Sequence, residues 1–450
     1  MKFLNKQFTQ ETLKLALPVM LTQVGQVSVN LFDNIIVGKL LGAKALAAVS
    51  LGNAMFFSIF IFGLGFSLAI PPLVSEAHSQ HDHNRINSIF RHGFVVNIIL
   101  AFVLMLLIFG IIPLMPYLNQ PKEILPDTIT FLSIVTLSII PFMIFQTMRE
   151  VSEGLSFTIG VTKATIFANI INVILNYVFI EYFKMGVAGS AWATFIARVA
   201  MMVFLYYVLI KEEKTRRYIK DFSLKIKDFT KEMFEKLIRL GFPTALQLFF
   251  EVTAFAGAAF ICGLISSKDI AAHQIALSMA SFTFNLCVGF SVASTVMIGR
   301  KLGEKDFVNL EKVGFNNLKI AFIFMLMCGL VFILGKDVLP TFFTKKEDIA
   351  VVELASQLMI IAALFQLSDG IQVTALGCLR GIQDVKIPSI LTFIAYWVIT
   401  IPLGYYLTVP MKMGAFGMWI ALGIGLTISA VLLVIRFRNL SEKRIKAQSN

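Results

Sequence analysis

Three acidic residues and one basic residue lie deep inside long apolar stretches of this sequence: Asp33, Glu251, Asp369 and Arg198. Asp33 is the clearest case, because no other charged residue occurs between Lys14 and Lys39. An Asp or Arg at the centre of a membrane helix costs about 2.5–3.5 kcal/mol on insertion scales, and such residues usually face a protein interior or a water-filled path. A chemical or structural use must offset this cost.

The three acids cannot all be neutralised by the one base, so we expect them to be functional. Burial disfavours the charged form of a carboxylate. A buried acid can therefore take up and release a proton, or it can hold Na⁺ together with amide and carbonyl oxygens. For Arg198 we expect a structural role, through contact with an acid or with carbonyl groups near the end of the bundle.

Neutral polar residues add oxygens to the N-terminal half. Asn172 and Asn176 are four residues apart and share one helical face, and Thr194 adds a hydroxyl in the following apolar stretch. Asparagines in membrane helices can also simply hold helices together. The residue types therefore leave two interpretations open, a helix-packing contact and an ion site.

The composition is typical of a polytopic membrane protein. The chain has 450 residues, 57% of them hydrophobic and 15% charged, and its mean hydropathy is +0.80. Average globular usage is roughly 45–50% apolar and ~25% charged. Continuous apolar runs favour helices over a barrel. The net charge of +12 lies mostly in loops between these runs, which argues against a nucleic-acid partner.

Twelve apolar stretches are long enough to span a bilayer. They lie near residues 12–36, 45–75, 93–113, 128–148, 162–182, 186–210, 236–263, 270–298, 316–336, 350–374, 388–408 and 414–437. Of the 39 Lys and Arg residues, 29 fall in the set of loops that contains both termini and 9 fall in the other set. The positive-inside rule therefore predicts that both termini are cytoplasmic.

The chain also contains an internal repeat. LPVMLTQVGQVSVNLFDNIIVGKL (17–40) aligns with FPTALQLFFEVTAFAGAAFICGLI (242–265), GFSLA (65–69) matches GFSVA (289–293), and Asp82 matches Asp306. Two uncharged stretches also correspond, one of 31 residues between Lys44 and Glu76 and one of 30 residues between Asp269 and Arg300, and each must tilt, bend or project from the membrane.

The repeat predicts an all-α fold of twelve transmembrane helices in two six-helix lobes related by a parallel pseudo-twofold axis. The predicted lobes are residues 1–210 and 236–450, joined by a charged cytoplasmic linker at 211–235. Two such halves facing one another across a cleft suit alternating access. The acids do not follow the repeat, because Glu251 aligns with Gln26, and Ala258 stands at the position that matches Asp33.

Several stretches together resemble the MATE family of multidrug and toxin extrusion transporters, in its NorM-like branch. They are LTQVGQVSVNLFDNIIVGKLLGAKALAAVSLG (21–52), GFPTALQLFFEVTAF (241–255), DIAAHQIALSMASFTFNLCVGFSVASTVMIGRKLG (269–303) and FQLSDGIQVTALGCLRGIQDVKIP (365–388). The resemblance covers nearly the whole chain. It implies a secondary transporter of a bacterial inner membrane, without enzymatic activity or a cofactor. It would export cationic, amphipathic compounds by antiport against H⁺ or Na⁺, and we expect a monomer.

The resemblance also implies residue roles. The essential acid of the family's first helix falls on Asp33, and its ion-site companions, which are possible Na⁺ ligands with it, fall on Asn172, Asn176 and Thr194. In the C-terminal lobe the coupling acids fall on Glu251 and Asp369. Some Na⁺-coupled relatives have Tyr four residues before the last acid, where this chain has Phe365 and so lacks that oxygen.

Two alternatives remain. A lipid-linked oligosaccharide flippase would share the two-lobe architecture, but it would be expected to carry several cations for pyrophosphate, whereas three of the four deep charges here are acidic. A membrane-embedded lipid-modifying enzyme would need acids or histidines clustered near one interface, and the acids here are spread over three spans.

Overall fold

The structure is a computed structural model that describes residues 4–117, 121–225, 228–343 and 349–449. Within these ranges the chain is helical and contains no strand. Eleven of the described helices are long and apolar enough to cross a membrane, and a bent helix pair gives a twelfth span if it is counted as one. The prediction of an all-α polytopic fold is confirmed.

The chain divides into two compact units. The N-terminal unit comprises Leu21–Ala245. Its helices are most of α1 (Lys6–Leu41), α2 (Ala43–Ser67), α3 (Ile70–Ser79), α4 (His83–Ile111), α5 (Leu125–Leu137), α6 (Ile139–Gly154), α7 (Ile159–Tyr177), α8 (Gly186–Lys211), α9 (Glu213–Lys220) and the start of α10 (Lys231–Gly263). A 3₁₀ turn follows α4 at Ile112–Tyr117, and a π-helical turn extends α7 over Val178–Tyr182.

The C-terminal unit comprises Met1–Met20 and Leu246–Asn450. It contains the start of α1, the rest of α10, α11 (Ser267–Gly303), α12 (Phe307–Gly335), α13 (Ile349–Gly381), α14 (Lys386–Phe393), α15 (Ile401–Thr408) and α16 (Gly414–Ser449). A π-helical segment, Ile394–Thr400, joins α14 to α15, and a 3₁₀ turn at Leu339–Phe342 follows α12.

Helices α1 and α10 each change unit along their length. The change comes at Met20–Leu21 in α1 and at Ala245–Leu246 in α10, two residues after Pro18 and Pro243, the prolines that the repeat aligns. Most of the predicted linker lies in the N-terminal unit, and its residues 226–227 lie outside the described residues. The predicted lobes were bounded by the sequence repeat and not by contacts within the structure, so their bounds stay a prediction.

The aligned aspartates act as equivalent helix caps. The side chain of Asp82 accepts a hydrogen bond from the Arg85 backbone N–H at 2.9 Å, at the start of α4. Asp306 accepts from the Asn309 backbone N–H at 3.2 Å, at the start of α12. Each cap satisfies one of the N–H groups that a helix start leaves without an intrahelical partner. Corresponding positions of the repeat therefore have the same local structure.

The two long uncharged stretches, each longer than a membrane span requires, have different helical structures. In the first, the helix is interrupted after α2, and α3 begins with Pro71 and Pro72 in its first turn, where the missing N–H groups cost nothing. In the second, α11 continues unbroken for 37 residues. At 1.5 Å per residue α11 is about 55 Å long, well beyond a ~30 Å hydrocarbon core.

The fourth predicted span is broken. Helices α5 and α6 meet at Ser138 with a bend of 42°. Pro141 explains the break, because its missing N–H would otherwise bond the carbonyl of Leu137, the last residue of α5. The bend leaves Ser138 buried in the middle of a membrane span.

The C-terminal unit is held by a close approach of α11 and α13. Ser291 Oγ donates to the Val373 carbonyl at 2.7 Å, and Thr295 Oγ1 donates to the Gly377 carbonyl at 3.0 Å. A Cβ atom at Gly377 would lie 2.8 Å from the Cα of Ser291 and closer still to its carbonyl oxygen. Small residues permit this contact between helix backbones, which is typical of membrane interfaces.

We expect Gly377→Ala to destabilise the protein by about 1–3 kcal/mol, because the added methyl group collides with the backbone of α11. Gly423→Ala on α16 is the matched control, since a methyl group there meets no atom within 4 Å. Thermal unfolding in detergent measures both. Equal melting temperatures for the two variants would contradict the packing account.

Candidate functional site

Asp33 receives a short hydrogen bond inside the N-terminal unit. Its side chain is only 8% exposed, and Oδ1 accepts from Asn176 Nδ2 at 2.7 Å. The same nitrogen lies 3.2 Å from Asn172 Oδ1, so Asn176 connects the carboxylate on α1 to the second amide on α7. A length of 2.7 Å is typical of a bond to an ionised acceptor. The structure thus brings three of the predicted site residues together.

Successive contacts along α1 and α7 set this geometry. Thr22 Oγ1 lies 3.0 Å from Thr162 Oγ1, and Asn169 Nδ2 donates to the Gly25 carbonyl at 2.8 Å. On α7 the contacting residues, 162, 169 and 176, are seven apart and therefore share one face of the helix. Gly25 leaves room for Asn169, whose Nδ2 would lie 3.0 Å from a Cβ at that position. The hydrogen bond from Asn176 to Asp33 is the next contact between α1 and α7 along this face.

One oxygen at the site has no hydrogen-bond partner. Asn176 is fully buried, and its Oδ1 is unpaired. Buried polar atoms are nearly always satisfied, and an exception calls for an ion, a water or a functional role. Carboxylate and amide oxygens are the ligands that hard cations prefer. The donor set of Asp33, Asn172 and Asn176 therefore fits a proton or a small hard cation such as Na⁺.

Thr194 is not joined to this group. It is partly buried on α8, and no hydrogen bond links it to Asp33, Asn172 or Asn176 within the described part of the chain. Its predicted role as an ion-site companion stays a prediction.

The acid Glu251 lies in a hydrogen-bonded chain of the C-terminal unit. Gln372 Nε2 lies 3.4 Å from Glu251 Oε1, and Tyr396 OH donates to Gln372 Oε1 at 3.3 Å. These side chains come from α10, α13 and the π-helical segment, and all are buried. Trp397 Nε1 donates to the Phe250 carbonyl at 3.1 Å and ties the π-helical segment to α10 beside Glu251.

Asp369 completes the acidic group of this unit. It is 3% exposed and lies one turn before Gln372 on α13. Its charge and that of Glu251 repel each other, whereas Arg380 attracts the Glu251 carboxylate. Two buried acids that disfavour simultaneous ionisation are suited to taking up a proton on one of them or to binding a cation.

The side chain of Phe365 packs among aromatic residues. Its ring packs edge-on against Trp419 and Phe255, with centroid distances of 5.5 and 6.2 Å. A phenolic oxygen in the hydrogen-bonded chain that leads to Glu251 is supplied by Tyr396, whose ring lies 5.8 Å from that of Phe255. Gln372 and Tyr396 were not predicted from the sequence as site residues. The only signal was a neutral polar side chain in an apolar run, which many membrane helices contain.

Comparison with known proteins identifies the family. The MatE family profile matches residues 18–178 and 243–406, which together are more than half of the chain. The chain belongs to the MatE family. The resemblance predicted from the sequence motifs is thereby confirmed.

Relatives of this MatE protein match over nearly its whole length. It is 32% identical to "Multidrug resistance protein NorM" of Photobacterium profundum over 439 residues, 96% of this chain and 95% of the relative. It is 33% identical to "Probable multidrug resistance protein NorM" of Agrobacterium fabrum over 442 residues, 97% of this chain and 94% of the relative.

A solved structure has the same fold as this MatE chain. The crystal structure of the eukaryotic MATE transporter AtDTX14 superposes with a TM-score of 0.88, covering 98% of this chain and 99% of that one. The identity of 16% makes this a likeness of fold alone.

We expect Asn176→Ala to speed the modification of Asp33 by a hydrophobic carbodiimide, which reacts with protonated carboxyl groups. The variant removes the donor that stabilises the ionised form, a bond worth about 1.5–3 kcal/mol, so labelling should accelerate roughly tenfold or more. Peptide mass mapping separates Asp33 from Glu251 and Asp369.

Asn169→Ala is the matched control on the same helix, because Asn169 bonds a backbone carbonyl and not the acid. Labelling of Asp33 should stay close to the wild-type rate in this variant. Equal acceleration in both variants would mean that general loosening of α7 exposes Asp33, and it would contradict a specific role for the Asn176 amide.

Proposed function

We propose that this MatE protein is a secondary multidrug efflux transporter that exports cationic, amphipathic compounds by antiport against H⁺ or Na⁺. The names of the NorM relatives support multidrug efflux. The observation that carries the coupling proposal is the buried Asp33 carboxylate held by Asn176, next to an amide oxygen without a partner. Asp33, Asn172, Asn176 and Thr194 would form one coupling site, and Glu251 and Asp369 would form the other.

The mechanism follows from the cost of a charge inside a membrane. The drug binds from the cytoplasm while the acids are ionised. A proton or Na⁺ from outside then neutralises Asp33, which weakens its charge-assisted bond to Asn176 and allows α1 to repack and the drug to leave. The membrane potential assists, since each charge that moves inward releases about 2.3 kcal/mol per 100 mV.

The signs of the buried charges support a cationic substrate. The N-terminal unit offers Asp33, and the C-terminal unit offers Glu251 and Asp369, all of them within membrane helices. A flippase for a pyrophosphate-linked lipid would need the opposite charge. A lipid-modifying enzyme would need its acids gathered at one interface, whereas here they are divided between the two units, with Asp33 in the N-terminal unit and Glu251 and Asp369 in the C-terminal unit.

Placement in the membrane forms part of the same proposal. The excess of Lys and Arg in the loops on the side of both termini supports a cytoplasmic location for each terminus. The bacterial relatives support the inner membrane. We propose a monomer, in which the lipid bilayer and the exported compounds are the partners.

Efflux from proteoliposomes under an imposed pH gradient, compared with an imposed Na⁺ gradient, tests the function and identifies the ion. We expect one of the two gradients to drive export of a fluorescent lipophilic cation by the wild-type chain. Asp33→Asn should reduce this export to the background rate, because an amide can neither bind a proton nor carry the negative charge that Na⁺ requires.

Glu181→Gln is the matched control, because Glu181 lies outside the coupling groups in a partly exposed pair with Lys184 at 3.1 Å. This variant should transport at the wild-type rate. Gradient-driven export by Asp33→Asn at an undiminished rate would exclude Asp33 as the coupling acid.

A further inference from the structure

The connecting segment, residues 212–230, joins α8 to α10 and packs along one helix, α4. His83 Nδ1, at the start of α4, lies 2.7 Å from the Tyr218 hydroxyl. Phe222 packs against Phe90 and Phe94, with ring centroids 4.8 and 5.2 Å apart. All of these residues lie in the N-terminal unit. The connecting segment is therefore held against α4 well before it reaches α10.

The contacts continue to the start of α10. Arg91 Nη1 donates to Asp228 Oδ2 at 2.7 Å. One residue further along α4, His92 Nε2 accepts a hydrogen bond from the Thr230 backbone N–H at 2.8 Å. Thr230 directly precedes α10, and its carbonyl accepts from the Phe234 backbone N–H at 3.4 Å, so it occupies the N-cap position. His92 thus fastens the point where α10 begins.

The partners of His92 fix its protonation state. Its Nδ1 lies 2.7 Å from the Ser88 carbonyl oxygen, which can only accept, so Nδ1 must carry a hydrogen. Its Nε2 faces the Thr230 N–H, which can only donate, so Nε2 must not carry one. The ring is fully buried and packs edge-on against Phe229 and Phe234, with centroid distances of 5.1 and 4.6 Å. This geometry requires the neutral imidazole with its hydrogen on Nδ1.

A second proton on the His92 ring would break this contact. An imidazolium carries a hydrogen on both nitrogens and accepts no hydrogen bond, so two donors would face each other and the Thr230 N–H would lose its partner. The added charge would also meet the start of α10, where the aligned peptide dipoles are positive. The contact is therefore present while the ring is neutral, and it is lost as the pH falls through the range in which the ring takes up its proton.

The other histidine that holds the connecting segment does not have this restriction. The partner of His83 is the Tyr218 hydroxyl, which can either donate or accept. An imidazolium at His83 can therefore still donate to the hydroxyl oxygen. Of these two histidines on α4, His92 is the one whose contact requires a neutral ring.

The charged groups around His92 do not offer an imidazolium a partner. Among the described residues, no ion pair within 4 Å includes His92, and Asp228 beside it is engaged by Arg91. Arg85 pairs with Glu76 at 2.6 Å. The charged or titratable side chains on α3, α4, α6, α9, the connecting segment and the first three turns of α10 are Glu76, His78, His83, Arg85, Arg91, Arg149, Glu150, Glu153, Glu212, Glu213, Lys214, Arg216, Arg217, Tyr218, Lys220, Asp221, Lys225, Asp228, Lys231, Glu232, Glu235, Lys236 and Arg239.

We propose that His92 is a pH-sensitive latch. It holds the end of the connecting segment and the start of α10 against α4 while the solution beside the segment is neutral or alkaline, and it releases them when that solution becomes acidic. In the orientation proposed above, this solution is the cytoplasm. The latch concerns the attachment of α10 and does not depend on the proposed transport function.

Hydrogen–deuterium exchange of the purified full chain in detergent tests the latch. The measured quantity is the protection factor, which is corrected for intrinsic exchange at each pH, of the peptide that contains Thr230 and the first turn of α10. We expect it to fall roughly tenfold in the wild type from about pH 8 to about pH 5, where an ordinary imidazole becomes charged, because a buried donor loses its bond. In His92→Gln it should not change with pH, because the amide oxygen can accept from Thr230 throughout.

His83→Gln is the matched control on the same helix, and its protection factor should depend on pH as in the wild type. His92→Asn is a second neutral variant if His92→Gln fails to fold. Weaker protection that stays constant with pH in His92→Asn supports the latch.

Two results would overturn the proposal. One is a wild-type protection factor that stays constant over this pH range. The other is the wild-type decrease in a folded neutral variant of His92, which would assign the decrease to general loosening in acid. The measurement uses neither a substrate nor an ion gradient, so its outcome is separate from that of the efflux experiments.

Discussion

A carboxylate inside the hydrocarbon region must be either neutralised or held by donors, and the bond from Asn176 to Asp33 is how this chain holds it. The contacts between α1 and α7 lead to this bond. Thr22 with Thr162 and Gly25 with Asn169 bring the two helices into register, and Asp33 then meets the amide. One remaining amide oxygen, Asn176 Oδ1, has no hydrogen-bond partner, so an ion or a water bound to it would complete the site.

Both units contain the same arrangement of an acid, an amide and an arginine, built from different residues. Each supports an acid on the first helix of its sequence repeat with an amide from a later helix: Asp33 with Asn176, and Glu251 with Gln372. In each, an arginine that donates to a serine attracts that acid: Arg198 with Ser138, and Arg380 with Ser291. The repeat preserves caps and helix positions, but it does not preserve the positions of the acids.

Much of the fold and part of the site were predictable from sequence. An isolated charge in an apolar run predicted Asp33 as a site residue, and a spacing of four residues predicted that Asn172 and Asn176 share a helical face. That Asn176 bonds the acid depends on the register of α1 against α7, which no local pattern encodes. Gln372 and Tyr396 were missed because neutral polar residues in membrane helices have no distinctive spacing. Pro141 indicated the helix break at Ser138, but the break was not predicted, because hydropathy is averaged over a whole span and does not detect a break within it.

If Asp33 is the coupling acid, the drug and the coupling ion exclude each other through its charge. This exclusion is tested most directly by measuring the ions released when a lipophilic cation binds to the purified protein, with a pH indicator in weak buffer and with a Na⁺-selective electrode. We expect release of H⁺ or Na⁺ from the wild-type chain, and a smaller release from Asp33→Asn at matched drug occupancy. The same release from both proteins, or drug binding without any release, would contradict it.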